Sequence, residues 1–105
     1  MPQFDVYPNP HAASRTSVPF VVDVQSGLID ALPTRLVMPL SRVGATQARL
    51  PQGLCPLIEV DGEPLALMPH LAAPLDKRLL RQPILSIAHR AHEVGTALDA
   101  VTSGI

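Results

Sequence analysis

Leu57-Ile58-Glu59-Val60-Asp61-Gly62-Glu63-Pro64-Leu65-Ala66-Leu67-Met68 is the stretch that decides how this 105-residue sequence is read. Two apolar runs flank Asp61-Gly62. Both central residues of a type I′ turn need positive φ, which Gly adopts freely and Asp more readily than most side chains. The stretch therefore predicts a β-hairpin. Working outward toward the N-terminus, residues 41–53 lack periodicity and read as loop. Thr34 to Leu40 reads as a strand, with Pro39 placing its end near a sheet edge or bulge, because proline gives no N–H to a ladder. Phe20-Val21-Val22-Asp23-Val24-Gln25 is rich in β-branched and aromatic residues and predicts a further strand. Gln3 to Tyr7 alternates polar and apolar, as a half-buried strand does. Pro8-Asn9-Pro10 ends that strand, and the small and polar residues through Ser17 read as loop. Ser26 and Gly27 then lead into Leu28-Ile29-Asp30, an apolar pair in what should be a connection.

On the C-terminal side of the hairpin, residues 69–85 are irregular, with one short strand near Leu79–Leu80. The character changes at Ser86, a residue suited to an N-cap. Apolar side chains then fall at Ile87, Ala91, Val94, Leu98 and Val101, in steps of four and three that make one narrow helical stripe. His89, Arg90, His92, Glu93, Thr96 and Asp99 lie off it. Gly104 and Ile105 follow where such a helix would stop. The twelve prolines leave little room for a helix elsewhere. The expectation is one domain, mainly β with a C-terminal α-helix: a small antiparallel barrel or curled sheet over about 3–85 and a helix over about 86–102.

Composition narrows the function classes. Hydrophobic residues make up 47% of the chain and charged ones 16%, which excludes a disordered tail and leaves apolar surface that a second subunit would hide. Eight Lys and Arg against nine Asp and Glu give a net charge of −1, unlike a protein that tracks a nucleic-acid backbone. Phe4, Tyr7 and Phe20 are the only aromatics, too few for a base-stacking platform. No signal peptide opens the sequence and no apolar run is long enough to span a bilayer, so the expected compartment is the cytoplasm.

Candidate chemistry is sparse. Cys55, the single cysteine, reads as a small buried apolar residue rather than a reactive thiol. His89, His92 and Glu93 could converge on a metal from one helix face, but no further ligand has matching spacing, and an exposed face with a local His–Glu contact accounts for the same residues. His70, beside Pro69, reads as a polar rim residue. Ser26 has Asp23 and Asp30 nearby in sequence but no nucleophile motif around it. There is no phosphate-binding loop, dinucleotide fingerprint or zinc-protease motif. The residues point to a binding protein without cofactor, metal or catalytic site, and do not by themselves name its partner.

A resemblance supplies one. Gln3-Phe4-x-Val6-Tyr7, then Phe20-Val21-Val22-Asp23-Val24-Gln25-Ser26-x-Leu28-Ile29-Asp30, resembles the N-terminal half of the CcdB family of toxins. The likeness continues through Arg35-Leu36-Val37-Met38-Pro39-Leu40, Leu54-x-Pro56, the Asp61-Gly62-Glu63 turn, His89-Arg90 and the final Gly104-Ile105. It is weakest at residues 8–18 and 41–53. The resemblance implies an SH3-like barrel ending in a long helix, a fold shared with the MazF ribonucleases, and a symmetric homodimer. It also implies a non-enzymatic toxin of a type II toxin–antitoxin module. Such a toxin grips the DNA gyrase A subunit, traps gyrase on cleaved DNA, and is removed by a CcdA-type antitoxin; it serves plasmid maintenance.

Carried over residue by residue, Gly104 and Ile105 match the terminal gyrase-contacting pair. Leu28 and Ile29 match an apolar pair bordering the same surface, with ordinary core packing as the alternative. Asp99 stands where family toxins often have Asn. Ser103 stands where the well-known toxins have a Trp that stacks on a gyrase arginine, a cation–π contact of roughly 1–2 kcal/mol, and Thr102 replaces a larger aromatic. Two alternatives follow: a CcdB-like dimer that binds antitoxin without poisoning gyrase, and a MazF-like endoribonuclease.

Overall fold

The computed structural model describes residues 2–29, 31–42 and 54–103. Among the described residues, seven strands and one α-helix follow in chain order: β1 (Asp5–Pro8), β2 (Phe20–Asp23), β3 (Thr34–Arg42), β4 (Leu57–Val60), β5 (Glu63–Leu67), β6 (Ala73–Asp76), β7 (Leu85–Ser86) and α1 (Ala91–Ser103). All pairings are antiparallel, along the path β4-β5-β3-β2-β1-β7, with β6 also on β3. The result is a curled half-barrel with a C-terminal helix, the mainly β architecture the sequence leads one to expect.

The Asp61-Gly62 hairpin forms as read. Val60 faces Glu63, and the two turn residues have φ of 52° and 80°. In β4 the alternation is complete: Ile58 and Val60 are buried while Leu57 and Glu59 face out. The nine-residue β3 is the spine of the sheet. One flank carries β2, and the other carries β5 and then β6. Along that flank β3 advances three residues, from Leu40 to Val37, while its partner advances six, from Leu67 to Ala73. The 3-10 turn Pro69–Leu71 takes up the surplus and packs against α1.

Side chains alternate across a strand, so β1, β2 and β3 each serve two faces. Val6, Val22, Met38 and Leu40 join Ile58, Val60, Leu65, Leu67, Ile87 and Val94 in the main core, with Phe4 and Leu98 packed against it. Tyr7, Val21 and Val37 point the other way and meet Leu80 and Leu75. The helix covers the first face. Cys55 is buried at its margin.

Several boundaries differ from the sequence reading, each for a physical reason. The short strand expected near Leu79–Leu80 is instead β6, and Lys77–Leu79 forms a 3-10 turn in which the Asp76 side chain accepts from the Arg78 amide at 2.9 Å. Pro74 hides β6 from a propensity reading, although proline is tolerated in so short a strand. The helix starts at Ala91 rather than near Ser86. Leu85 and Ser86 pair with β1, and Ile87 N–H donates to the Phe4 carbonyl at 2.9 Å. The Ser86 hydroxyl accepts from the Ala88 amide at 3.1 Å, so it does open a turn, but a 3-10 turn over Ala88–Arg90. Val94 carries the expected stripe into the core. Ala97, outside that stripe, is fully buried beside it, whereas Val101 faces solvent. Ser41 and Arg42, read as loop, extend β3; the rest of the expected 41–53 loop lies outside the described residues. No helix among the described residues is long and apolar enough to cross a membrane.

Candidate functional site

The connection after β2 is built from the inside out. Asp23, at the end of β2, and Arg35, the second residue of β3, are both fully buried. Arg35 Nε lies 2.7 Å from Asp23 Oδ2, and Nη2 lies 3.0 Å from Oδ1. A forked guanidinium–carboxylate contact of this kind compensates the desolvation of both charges. Arg35 Nη2 also donates to the Gln25 carbonyl at 3.2 Å, and Asp23 Oδ1 accepts from the Gln25 amide at 3.0 Å. Tyr7 sits beside this pair. Burial pushes its phenol above the ordinary value, with the Asp5 and Asp23 carboxylates adding to the rise and Arg35 opposing it.

Gln25 continues the wiring. Its Oε1 accepts from the Leu36 amide at 2.9 Å, and its Nε2 donates to the Ile29 carbonyl at 3.0 Å. From the N-terminus, Gln3 Nε2 donates to the Val24 carbonyl at 3.0 Å. The next residue, Phe4, adopts φ of 73°, a left-handed conformation unusual for so bulky a residue, and its amide donates to the Asp23 carbonyl. Ser26 completes the turn, accepting through its hydroxyl from the Leu28 amide and through its carbonyl from the Ile29 amide, both at 3.2 Å.

At the tip of this frame, the 3-10 turn Gly27–Ile29 holds Leu28 at 96% exposure and Ile29 at 49%. Neither belongs to the core, so the packing alternative does not hold. Leu32, on the way into β3, is exposed as well. An exposed apolar loop is the kind of surface feature that marks macromolecular contact.

The second group of sequence-derived residues lies on α1. Asp99 and Thr102 are exposed, and the Thr102 hydroxyl donates to the Leu98 carbonyl at 3.1 Å. Ser103 is the last residue of α1, while Gly104 and Ile105 lie outside the described residues. The loop is thus tied to β2 and β3, whereas the helical residues are carried by the packing of Val94, Ala97 and Leu98.

Most of the remaining candidate side chains are engaged in local structure, and the histidines lie on the surface. Glu93 pairs through both oxygens with Arg90 at 2.6 Å, which holds its carboxyl below the usual range; Arg90 also donates to the Leu57 carbonyl at 3.0 Å. His70, His89 and His92 are exposed. Among the described residues no group of three or more His, Cys, Asp and Glu could hold a metal ion. Ser26 is spent on its turn, and Asp23, near it in sequence, is held by Arg35. Burial pushes the Cys55 thiol up, with the Met68 sulfur 3.8 Å away.

Sequence reasoning missed the frame under the loop. A signal was present, since Asp23 interrupts an apolar β run and Arg35 opens the next, and buried charges must be paired. The roles of Gln3 and Gln25 had no such signal.

Fold and surface define a small β half-barrel with a C-terminal helix and an exposed apolar turn tied by hydrogen bonds. Within that class the chain belongs to the CcdB family: the family model described as CcdB protein matches residues 3–104, nearly its whole length.

Proposed function

We propose that the protein is the toxin of a type II toxin–antitoxin module, a homodimer that binds the DNA gyrase A subunit, stabilises gyrase–DNA cleavage complexes and is neutralised by a CcdA-type antitoxin. Membership of the CcdB family supports a toxin acting on gyrase in general. The observation that carries the reading to particular residues is the near-complete exposure of Leu28 on a loop whose underside is fully wired. An exposed leucine on a turn whose backbone is tied by hydrogen bonds offers apolar area for a partner to bury at a reduced loop-ordering cost. Leu28, Ile29, Asp99, Thr102, Ser103, Gly104 and Ile105 form the proposed contact set.

The test is a gyrase cleavage reaction on supercoiled DNA, comparing the full chain with one truncated after Ser103. Cleavage that depends on Gly104-Ile105 supports the reading. Absence of cleavage with a correctly folded dimer sinks it.

Ser103 motivates a second reading, a CcdB-like dimer that binds antitoxin without poisoning gyrase. A serine offers neither the π face nor the buried area of a tryptophan. Harmless overexpression together with tight antitoxin binding is the outcome that selects this alternative.

A further inference from the structure

The Leu28 turn combines two properties that seldom coincide: its tip is almost fully in water, and the backbone beneath it is tied at successive residues. Val24 is held by Gln3 and by its own backbone N–H, which donates to the Leu36 carbonyl at 2.9 Å; Gln25 is held by Asp23 and Arg35. From there one side chain spans the gap to the turn. Gln25 is 5% exposed and spends both ends of its carboxamide, one on the β3 backbone and one on the carbonyl of Ile29. A glutamine needed only for the sheet would have no reason to reach across to the turn.

We infer that Gln25 is a positioning residue, whose carboxamide straddles β3 and the 3-10 turn and holds Leu28 and Ile29 in the conformation a partner protein meets. This rests on the reading of the loop as the gyrase-facing surface. Gln25 does not touch the partner. It removes in advance the loop-ordering cost that binding would otherwise carry, with the buried Asp23–Arg35 pair as the fixed base.

The test uses the full chain, with hydrogen–deuterium exchange of the Leu28 and Ile29 amides and affinity for the dimerisation domain of gyrase A. Gln25→Met keeps length and volume but loses both hydrogen bonds. Its loop amides should exchange about tenfold faster, and its affinity should fall about tenfold, while the β2 and β3 amides keep their protection. Gly27→Ala added to Gln25→Met should recover about two- to fivefold of that affinity by restricting the loop. A Cβ at Gly27 meets nothing within 4 Å, and its φ lies outside the left-handed region. If the Met variant does not fold, Gln25→Glu serves instead. It retains the acceptor for Leu36 and sets a carboxylate oxygen against the Ile29 carbonyl, and the same loop-confined loss is expected.

Exchange and affinity within twofold of wild type overturn the inference. So does a loss that spreads through β2 and β3 and that Gly27→Ala leaves untouched, since that marks a purely structural residue. Wild type that fails to bind the gyrase domain, with exchange still quickened only in the loop, overturns the gyrase reading and leaves the positioning role standing.

Discussion

The loop after β2 and the end of α1 both present residues to solvent, but they are held there by opposite means. The loop hangs from polar contacts: a buried ion pair, two glutamine side chains and a serine turn. The helix end is held at a distance, by Val94, Ala97 and Leu98 seated on the core. Hydrogen bonds are directional and fix a conformation residue by residue, whereas apolar packing fixes the position of a whole rigid element. A half-barrel with few charges can thus specify a loop shape at the cost of one buried ion pair, and a helix position with three small or medium apolar side chains.

The largest effect should come from breaking the polar side of this comparison. Asp23→Ala leaves Arg35 buried without its carboxylate and should cost about 3–5 kcal/mol of folding stability, measured by urea denaturation. If the loss stays below ~1 kcal/mol, the ion pair is not the base of the loop. Breaking the apolar side should cost less. Val94→Ala, which removes two methyl groups from a site 1% exposed, should destabilise by about 2 kcal/mol, with thermal melting as the measurement.

Leu28→Ser sharpens the comparison at the surface. Its stability should stay within about 0.5 kcal/mol of wild type, while affinity for the gyrase A domain falls about tenfold, near 1.4 kcal/mol. A titration by calorimetry separates the two readouts, and unchanged affinity removes Leu28 from the contact set.

The smallest effect lies on the surface, where β6 pairs with the start of β3. Arg78 donates to Asp76 through its side chain and backbone, which lowers the Asp76 carboxyl to about 2. Its folded value lies below its unfolded one, so its contribution is present above the ordinary carboxylate range near 4 and is lost as pH falls through about 2. Wild type and Asp76→Asn should therefore differ slightly in melting temperature at pH 5 and converge near pH 2.

How far the sequence could be read follows from whether the deciding forces are local. Asp61-Gly62 dictates its own turn, so the hairpin was legible, and Phe20–Asp23 and Thr34–Leu40 carry enough β-branched residues to announce strands. The β6 strand was not legible because Ala73 and Pro74 have little strand propensity; only the flank of β3 draws them into the sheet. The helix start was misplaced because Ser86 is claimed by β1, a partner some eighty positions away in the chain. Leu28 and Ile29 look in sequence like any apolar pair. Their exposure goes with a 3-10 turn hydrogen-bonded through Gln25 and Ser26, contacts that periodicity does not encode. The Gly104-Ile105 pair lies outside the described residues, so its candidacy rests on the resemblance and family membership.

The central place of β3 has a consequence for the protein in a cell. Leu40 is paired to Phe20 on one side and Leu67 on the other, and Val37 to Asp23 and Ala73, so the strand that anchors the loop's base also supports the face under the helix. Neither face can be lost while the other goes on working. A destabilising substitution at a core position of this strand, such as Met38 or Leu40, should therefore reduce how much protein survives chaperones and proteases, whereas one at Arg35 should also disturb the loop it anchors. For a protein whose effect would depend on its ratio to a neutralising partner, dosage is then the property that drifts first.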